Sequence, residues 1–469
     1  MAHPRFKKKV NHNVLPEYLN YGYIPGPQSI FKNTEKIRPA HVVVLNTATK
    51  TKEEYNYWNL ADHYKMPKYH GSYDEAKADL KQLLKSAYNY RMVSDVPVGV
   101  FLSGGYDSTS VAAILASEQK EKLNTFTIGF YEGNNEAPQA QQIASLLETN
   151  HTEWYCTNQD AKEVIPKLAE IYDEPFADSS AIPTILVSRM ARKKVTVALS
   201  ADGGDEQFFG YGHYFTQSKN LKKIQKPVFK FLGNSAVKSY AAGILRFLPI
   251  AIHRKYQIET AIEASGISST EKRAQYLLYK SQRKPLNYLS KFLLASTPKD
   301  ASPKMGFDTA AFRNVEDVFS FMDYSQYLPD DILTKVDRAT MSVSLEGREP
   351  LLDHRIAEFA ARLPAEYKYE GGNSGKRILK DIVNDYVPKE IMDQPKRGFT
   401  IPVLKWLKSD LKWLLDEYLS TEALEETKTF NVNFVRQELK AFLNGKMHYE
   451  PLMWYILMYQ MWYFKWMKD

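Results

Sequence analysis

Apolar residues in the first half of the chain switch repeatedly between strand-like runs and helical spacing. Residues 73–91 carry apolar side chains at helical spacing and predict an amphipathic helix that opens a domain. Strands are then predicted at 98–102, 125–130, 152–155 and 195–199, with helices at 109–117, 137–147, 161–172 and 182–193. The alternation, with nearly continuous Val, Ile and Phe in the strands, predicts an α/β fold. We expect a doubly wound parallel sheet whose ligands bind at the carboxyl ends of the strands.

The segments on either side of this region have different patterns. Residues 1–70 are punctuated by proline and contain one strand-like run at 41–45, so they predict an incomplete unit. Beyond residue 206 the strand pattern fades and a helical one takes over. We therefore predict a nucleotide-binding α/β core over 71–215 and a mainly helical C-terminal part over 216–469.

The most apolar stretch of the chain lies near its C-terminus, at Leu452–Phe464. It falls short of the roughly 20 residues that a helix needs to cross a bilayer. Dense aromatic residues usually pack a helix against a domain, so this stretch predicts a buried helix rather than a ligand cage.

Composition limits the number of domains and the class of protein. With 469 residues, 44% of them hydrophobic, the chain can bury at least two compact domains. The excess of 62 basic over 55 acidic residues is mild, and a surface that faces anionic substrates explains it as well as nucleic acid does. The single cysteine, Cys156, excludes a disulfide framework and a cysteine-based zinc cluster. We expect a cytoplasmic protein with no secretory signal, membrane span or nucleic-acid partner.

The first predicted strand runs directly into a loop rich in glycine and hydroxyl groups. The loop reads Leu102-Ser103-Gly104-Gly105-Tyr106-Asp107-Ser108, and a helix follows. The glycines let backbone amides approach an anion, the serines add donors, and the helix dipole favours negative charge. The Gly-Lys-Ser/Thr ending of a Walker loop is missing, so γ-phosphoryl transfer is not implied. This pattern predicts a pyrophosphate-binding loop rather than a simple glycine turn, with Asp107 as a ligand for magnesium.

A second glycine-containing turn follows the strand at 195–199. It reads Ser200-Ala201-Asp202-Gly203-Gly204-Asp205-Glu206 and lies at the same carboxyl edge of the predicted sheet. By itself it could equally be a solvated acidic turn, but the first loop favours an anion site. We expect Asp107 and Asp205 to share a magnesium ion whose other ligands come mostly from pyrophosphate oxygens.

With both loops in place, the chain resembles the asparagine synthetase family of the glutamine-dependent type. Four further segments carry the resemblance: Asp173–Ser180, Leu345–Asp353, Gly375–Lys380 and Pro395–Phe399. The resemblance covers nearly the whole chain. It implies a fold of the adenine-nucleotide α-hydrolase, pyrophosphate-loop type, and a ligase that splits ATP into AMP and pyrophosphate.

The resemblance also implies roles for individual residues. The expected ATP contacts are Leu102, Ser103, Gly104, Gly105, Asp107, Ser108, Ile128, Ser200, Ala201 and Gly203, with the adenine against Leu102 and Ile128. Lys396 would stabilise charge during adenylation, and Asp202 would lie near the adenylate and the incoming ammonia. Glu346 and Arg348 would line the acyl site. The alternatives are a solvated surface lysine for Lys396 and a structural ion pair for Glu346 and Arg348.

The chain departs from the glutamine-dependent pattern at its start. Members of that type begin with a glutaminase domain whose nucleophile is a cysteine at position 2, whereas Ala2 stands here. Cys156 has no free α-amino group to act as its base. Residues 11–47 resemble the last part of that domain, so we interpret 1–70 as a remnant of its C-terminal end plus a linker. We expect the nitrogen source to be free ammonia or ammonia from a separate glutaminase subunit.

Smaller departures lie in and near the predicted site, at Tyr106, Ala201, Phe209, Gly347 and Glu349. These departures bear on the identity of the acceptor acid more than on the use of ATP. The leading hypothesis is adenylation of the L-aspartate side chain and its amidation by ammonia, by an enzyme that uses ATP and Mg²⁺ and forms a homodimer. The alternatives are the same chemistry on another acid, such as a uronic acid in surface-polysaccharide biosynthesis, a tRNA-modifying enzyme, or a nucleotide-binding protein without turnover.

Overall fold

A five-stranded parallel sheet lies at the centre of the molecule. The computed structural model describes residues 3–131, 135–225, 252–294, 312–371, 374–394 and 401–468. The strands of the sheet are β3 (Val98–Phe101), β4 (Asn124–Phe130), β5 (Asn150–Cys156), β6 (Val197–Leu199) and β7 (Glu346–Arg348), in the order β5-β4-β3-β6-β7. A separate antiparallel hairpin is formed by β1 (His41–Asn46) and β2 (Thr51–Asn56).

Helices account for most of the rest of the described chain. Up to residue 225 they are Leu15–Tyr21, Leu60–Lys65, Tyr73–Met92, Tyr106–Glu118, Ala137–Leu146, Asn158–Val164, Leu168–Ile171, Ala181–Arg192, Gly204–Gln207 and Gly212–Ile224. Beyond it they are Ile252–Ser265, Thr270–Ser281, Leu286–Leu289, Val315–Met322, the π-helix Asp323–Leu333, Thr334–Met341, His354–Arg362, Ala365–Lys368, Arg377–Val383, Lys389–Met392, Val403–Leu407, Lys412–Tyr418, Thr421–Thr427, Val432–Leu443 and Pro451–Trp466. Single 3-10 turns occur at His12–Val14, Ile165–Lys167, Ser290–Phe292 and Pro350–Leu352.

The α/β prediction is confirmed, with local corrections. The helix predicted over 161–172 is interrupted by the turn Ile165–Lys167. Pro166 explains the interruption, because it has no N–H to donate within a helix. Strand β7 was missed entirely. Its three residues, Glu-Gly-Arg, have no hydrophobic alternation, and they become a strand only because β6 offers them a free edge.

Two hydrophobic cores cover the two faces of the sheet. Val100 packs on one side with Leu84 and Val111, from the helices Tyr73–Met92 and Tyr106–Glu118. Phe126 and Ile128 pack on the other side with residues of the helix Ala181–Arg192. Because successive strand residues point to opposite faces, the nearly continuous apolar runs are buried on both sides. The sheet is therefore doubly wound, as predicted.

The strand order creates a switch point between β3 and β6. From β3 the chain proceeds to β4 and β5 on one side, then crosses to β6 and β7 on the other. All four pairings in the sheet are parallel, so the carboxyl ends meet at one edge. At a switch point the connections leave in opposite directions and open a crevice there. Both glycine-containing loops, 103–108 and 200–206, begin at this crevice.

The segment that was predicted as an incomplete unit consists of two parts with different environments. Residues near the helix Leu15–Tyr21 are buried in the same core as the C-terminal helix Pro451–Trp466. The Tyr18 hydroxyl donates to the Tyr455 carbonyl at 2.7 Å. In the hairpin, by contrast, Val42, Val44 and Leu45 are exposed. The first part is thus integrated into the fold, and so is the helix Leu60–Lys65 after the hairpin, whose Leu60 and Tyr64 are buried in a third hydrophobic core. The glutaminase-remnant interpretation stays a prediction.

The C-terminal helix is buried, as its aromatic content predicts. Its Trp454 and Trp462 indoles donate to the carbonyls of Ala177 and Asp173, each at 2.9 Å. Both acceptors belong to the segment Asp173–Ser180, which the helix therefore holds in place. Among the described helices, none is both long enough and apolar enough to cross a membrane.

The buried position of Tyr18 leads to a stability prediction. Tyr18→Ala should lower the free energy of unfolding by about 3 to 5 kcal/mol, because it opens a cavity beneath the C-terminal helix. Tyr18→Phe, which removes only the buried hydrogen bond, should cost about 1 kcal/mol. Urea unfolding followed by tryptophan fluorescence measures both. Val44→Ala in the exposed hairpin is the control, with an expected change within about 0.5 kcal/mol; equal effects at Tyr18 and Val44 would contradict the integration of the first segment.

Candidate active site

A cleft of about 900 Å³ opens at the carboxyl ends of β3 and β6. The two loops form its floor. Every residue that was predicted to contact ATP lines it: Leu102, Ser103, Gly104, Gly105, Asp107, Ser108, Ile128, Ser200, Ala201 and Gly203. Asp202 and Asp205 line it as well. Residues nearly a hundred positions apart are thus brought together by the parallel pairing of β3 with β6.

The first loop is held by its own hydroxyl groups. The Ser108 hydroxyl accepts from the Ser103 amide at 3.1 Å and lies 3.0 Å from the Ser103 hydroxyl. Gly104 has a φ of +84°, which a residue with a side chain rarely adopts. The helix Tyr106–Glu118, called the loop helix below, starts immediately after Gly105. Its first-turn N–H groups have no preceding helix carbonyl and point into the cleft, where an anion can accept from them.

The second loop packs directly against the first. A Cβ on Gly204 would lie 2.5 Å from Oδ1 of Asp107, so only glycine allows this approach. Gly203 has a φ of +98°, and a Cβ there would collide with Leu352 at 2.2 Å. The glycines of this turn therefore allow the two loops to pack closely together. The sequence alone does not reveal this contact.

Lys376 joins the two predicted magnesium ligands. Its ammonium group contacts the Asp107 carboxylate and lies 2.7 Å from Oδ1 of Asp205. The three side chains are largely buried in the cleft wall. The neighbouring carboxylates outweigh the effect of burial and raise the pKa of Lys376, so it remains charged.

The backbone around Lys376 explains why this lysine reaches the cleft. Its amide donates to the Phe208 carbonyl at 2.7 Å, and its φ of +63° is in the left-handed region. Gly375 precedes it, where a Cβ would lie 1.9 Å from the Phe209 carbonyl oxygen. The sequence of the Gly375–Lys380 segment indicates no role for Lys376, because its partners lie 171 and 269 positions away in the chain.

The donor set fits a magnesium ion that comes with a nucleotide. Two carboxylates converge on one point, and oxygen ligands are what Mg²⁺ prefers. In the part of the chain that the structure describes, no group of three or more His, Cys, Asp or Glu side chains forms a metal site. Asp107 and Asp205 would supply two ligands, with phosphate oxygens as the others.

A second lysine, Lys335, also lines the cleft. The Lys335 ammonium is 3.2 Å from Oδ2 of Asp178, whose carboxylate also accepts from the Ser180 hydroxyl and amide. Burial raises the pKa of Asp178, but Lys335 and the hydrogen bonds from Ser180 together lower it below its ordinary value. The motif Asp173–Ser180, held by the tryptophans of the C-terminal helix, therefore positions a cation in the cleft. Neither Lys335 nor Lys376 was predicted as a site residue.

Two carboxylates follow β6 and β7 and lie near enough for one charge to affect the other, although Glu349 lines a separate pocket beside Arg348 rather than the cleft itself. Asp202 follows β6 and receives a hydrogen bond from the Ser200 hydroxyl. Glu349 directly follows β7, and burial together with the charges of Asp202 and Asp337 raises its pKa to about 7. The position of Glu349 at the carboxyl edge follows from the strand that the sequence analysis missed.

Glu346 and Arg348 lie outside the lining of this cleft. The Arg348 guanidinium donates to the Arg91 and Val93 carbonyls at 2.7 and 2.8 Å, and it pairs with Glu346 at 2.7 Å. These contacts tie β7 to the end of the helix Tyr73–Met92. The arrangement favours the structural ion pair over a role in the acyl site.

Two further residues from the sequence analysis can be placed only in part. Lys396, predicted to stabilise charge during adenylation, lies outside the described residues. Cys156 ends β5 and is buried, which raises the pKa of its thiol to about 12. A thiol with that pKa is protonated at neutral pH and is a poor nucleophile, so the chemistry of the cleft does not involve it.

Comparison with known proteins agrees with this geometry. The family model for asparagine synthase matches residues 79–463, which includes both loops, Lys335 and Lys376. The chain belongs to the asparagine synthase family. It is therefore an ATP-dependent ligase of the amidotransferase type, with the pyrophosphate-loop fold that the sequence predicts.

Similar proteins span several functions by name. Asparagine synthetase 1 (glutamine-hydrolyzing) of Bacillus subtilis strain 168 is 25% identical over 470 residues, which cover 97% of this chain and 69% of that protein. Asparagine synthetase 3 of the same organism is 26% identical, covering 94% of this chain and 69% of its own length. The amidase chry2 of Gibberella zeae is 22% identical, covering 87% of this chain and 63% of its own. The family is thus established, while the acceptor acid is not.

The close contact at Gly375 leads to a binding prediction. Gly375→Ala should displace Lys376 and weaken binding of Mg-ATP about tenfold or more, because the displacement costs a charge-assisted contact. Isothermal titration measures the affinity. Gly212→Ala is the matched control: Gly212 also lines the cleft, but nothing lies within 4 Å of the added Cβ. Unchanged affinity in Gly375→Ala would contradict the role given to this backbone.

The raised pKa of Glu349 leads to a pH prediction. Between its ordinary value of 4.5 and about 7, folded Glu349 keeps a proton that the unfolded chain has lost. Stability therefore decreases as pH rises through this window. Glu349→Gln removes that loss, so the melting temperature of the variant relative to the wild type should be higher at pH 8 than at pH 5. Glu366→Gln removes the same charge from an exposed position, and a pH-dependent difference of the same size there would contradict the assignment.

Proposed function

We propose that this protein uses ATP and Mg²⁺ to adenylate the side-chain carboxylate of L-aspartate and then amidates it with ammonia. The products are asparagine, AMP and pyrophosphate. The observation that carries the proposal is the convergence of Asp107 and Asp205 on Lys376 beneath the pyrophosphate loop. Membership of the asparagine synthase family supports the reaction class, and the similarity to the two asparagine synthetases of Bacillus subtilis supports the acceptor.

Different residues in the walls of the cleft suit the adenine and the phosphates of ATP. One end is apolar, with Leu102, Ile128 and Val187, and accommodates the adenine. The Ser103–Ser108 loop and the N-terminus of the loop helix bind the phosphates. Asp107 and Asp205 would hold Mg²⁺, which neutralises phosphate charge when it is bound. With Mg²⁺ bound, Asp107 and Asp205 would be paired with the metal ion. The Lys376 ammonium group could then donate to phosphate oxygens.

In the first step an oxygen of the acceptor carboxylate attacks the α-phosphorus. The bond between that phosphorus and its bridging oxygen breaks, and the electron pair leaves on pyrophosphate. Negative charge grows on the phosphoryl oxygens as the bond forms. Fixed ammonium groups in a site that excludes water favour that charge over the ground state. Lys376 supplies this stabilisation, and Lys335 provides a second fixed cation in the cleft.

In the second step ammonia attacks the acyl carbon and AMP leaves with the electron pair of the acyl–oxygen bond. The nitrogen must lose a proton as the amide forms. Asp202 lines the cleft and Glu349 lies beside it at the sheet edge. A carboxyl group with a pKa near 7 can accept a proton at neutral pH and release it again. We assign proton removal to this pair, with free ammonia or a separate glutaminase subunit as the nitrogen source.

The acceptor acid and nitrogen donor are tested together. ATP, Mg²⁺ and aspartate with ammonium should give equal amounts of AMP, pyrophosphate and asparagine, whereas glutamine should support little turnover. A uronic acid in place of aspartate tests the alternative of surface-polysaccharide chemistry. Turnover with the uronic acid but not with aspartate would transfer the proposal to that acid. Absence of AMP formation with every acid would overturn it.

Removing Lys376 tests the centre of the proposal. Lys376→Met should lower kcat/KM for AMP formation by about 10²- to 10³-fold, the size expected for loss of one preorganised electrostatic contact. Lys376→Arg should keep part of the activity. Lys396→Ala, measured in parallel, tests the lysine that the family resemblance implies. Lys412→Met is the control because Lys412 is a surface residue paired with Asp416; a loss there as large as in Lys376→Met would contradict a specific role.

A further inference from the structure

A second lysine lies one helical turn beyond Lys376 and lines the same cleft. The Lys380 amide donates to the Lys376 carbonyl at 2.8 Å at the start of the helix Arg377–Val383. Residues four apart on a helix share a face, so both side chains are presented to the loop helix. Lys376 contacts Asp107, and the Lys380 ammonium lies 5.3 Å from the ring centroid of Tyr106. Lys376 and Lys380 thus contact Asp107 and Tyr106, respectively, which are adjacent residues in the first turn of the loop helix.

The two lysines differ in how their charges are balanced. Lys376 has two carboxylates, whereas Lys380 donates to the neutral Ser374 hydroxyl. Within the described residues Lys380 has no carboxylate in a salt bridge. Burial, the largest effect, and the positive charges of Lys376 and Lys389 lower the pKa of Lys380, although the nearby carboxylates of Asp393 and Asp107 act in the opposite direction. A half-buried ammonium group at the wall of the cleft, near carboxylates but in salt-bridge contact with none among the described residues, is an arrangement that an anionic ligand would stabilise.

Tyr106 gives Lys380 a fixed platform. This residue is one of the departures from the family pattern noted in the sequence. Its hydroxyl donates to Oδ1 of Asp393 at 2.8 Å, and burial and that carboxylate raise its pKa, so it stays a donor. Gln139 holds the same stretch of chain by donating to the Ile391 carbonyl at 3.0 Å. The ring is therefore anchored at its far end and supports the ammonium group by a cation–π contact.

We infer that Lys380, supported by the Tyr106 ring, binds the β- and γ-phosphates of ATP and holds pyrophosphate after it leaves. The inference deepens the proposed function and rests on it. When the bond at the α-phosphorus breaks, the electron pair goes to pyrophosphate. An ammonium group at that end favours the departing charge, while Lys376 acts where the two carboxylates meet. Tyr106 is a positioning residue, since it acts through Lys380.

Titration of the full chain with magnesium pyrophosphate and with AMP tests the inference. Lys380→Met should weaken pyrophosphate binding about tenfold or more, as expected for a lost hydrogen bond to a charged group. Its affinity for AMP should not change, because AMP lacks the β- and γ-phosphates. Lys380→Arg should restore most of the affinity. Tyr106→Leu should show a smaller loss, again for pyrophosphate and not for AMP.

Lys389→Met is the matched control. Lys389 is near enough to lower the pKa of Lys380, yet it is exposed and does not line the cleft. Removal of the Lys389 charge should leave the affinity for pyrophosphate within about twofold of the wild-type value, because exposed charges are screened. Equal pyrophosphate affinity in Lys380→Met and wild type, in a chain that still forms AMP, would overturn the role of Lys380 alone. A wild-type chain that binds no magnesium pyrophosphate and forms no AMP would overturn the proposed function as well.

Discussion

The ammonium group of Lys376 between the carboxylates of Asp107 and Asp205 is the contact on which the cleft depends. It joins three segments that are far apart in sequence: the turn after β3, the turn after β6 and the start of the helix Arg377–Val383. Two buried carboxylates that face each other without a cation would repel one another strongly. The positive charge of Lys376 between them helps the two loops to approach closely. That charge also leaves the pair suited to a magnesium ion that a nucleotide would bring.

The surrounding architecture keeps the walls of the cleft at a fixed distance. On one side, Arg348 ties β7 to the carbonyls at the end of the helix Tyr73–Met92. On the other, the indoles of Trp454 and Trp462 hold the segment whose Asp178 restrains Lys335. The aromatic C-terminal helix thus contributes to the site without touching it. Its effect is to help hold Lys335, a second cation in the cleft, although the helix is nearly 300 residues away from the motif that it supports.

The distribution of charge within the cleft fits the proposed chemistry better than the net charge of the chain does. An overall charge of +7 points to no particular partner. Locally, Lys335, Lys376 and Lys380 line the cleft together with Asp202, and Glu349 lies near enough to Asp202 for that charge to raise its pKa. Cations near the phosphates and proton acceptors near the acyl carbon are what adenylation followed by amidation requires.

The sequence by itself determined the α/β class, the two loops and the buried aromatic helix. Each depends on short-range patterns: apolar periodicity, glycines beside serines between a strand and a helix, and an aromatic run too short for a membrane. Tertiary structure alone decided the placement of Lys376, Lys335 and Lys380, the burial of the segment around Tyr18, and the existence of β7. It also placed Glu346 and Arg348 outside the cleft, although their motif had suggested the acyl site. Partners hundreds of residues apart leave no local pattern, because a lysine looks the same in sequence whether it meets water or two buried carboxylates.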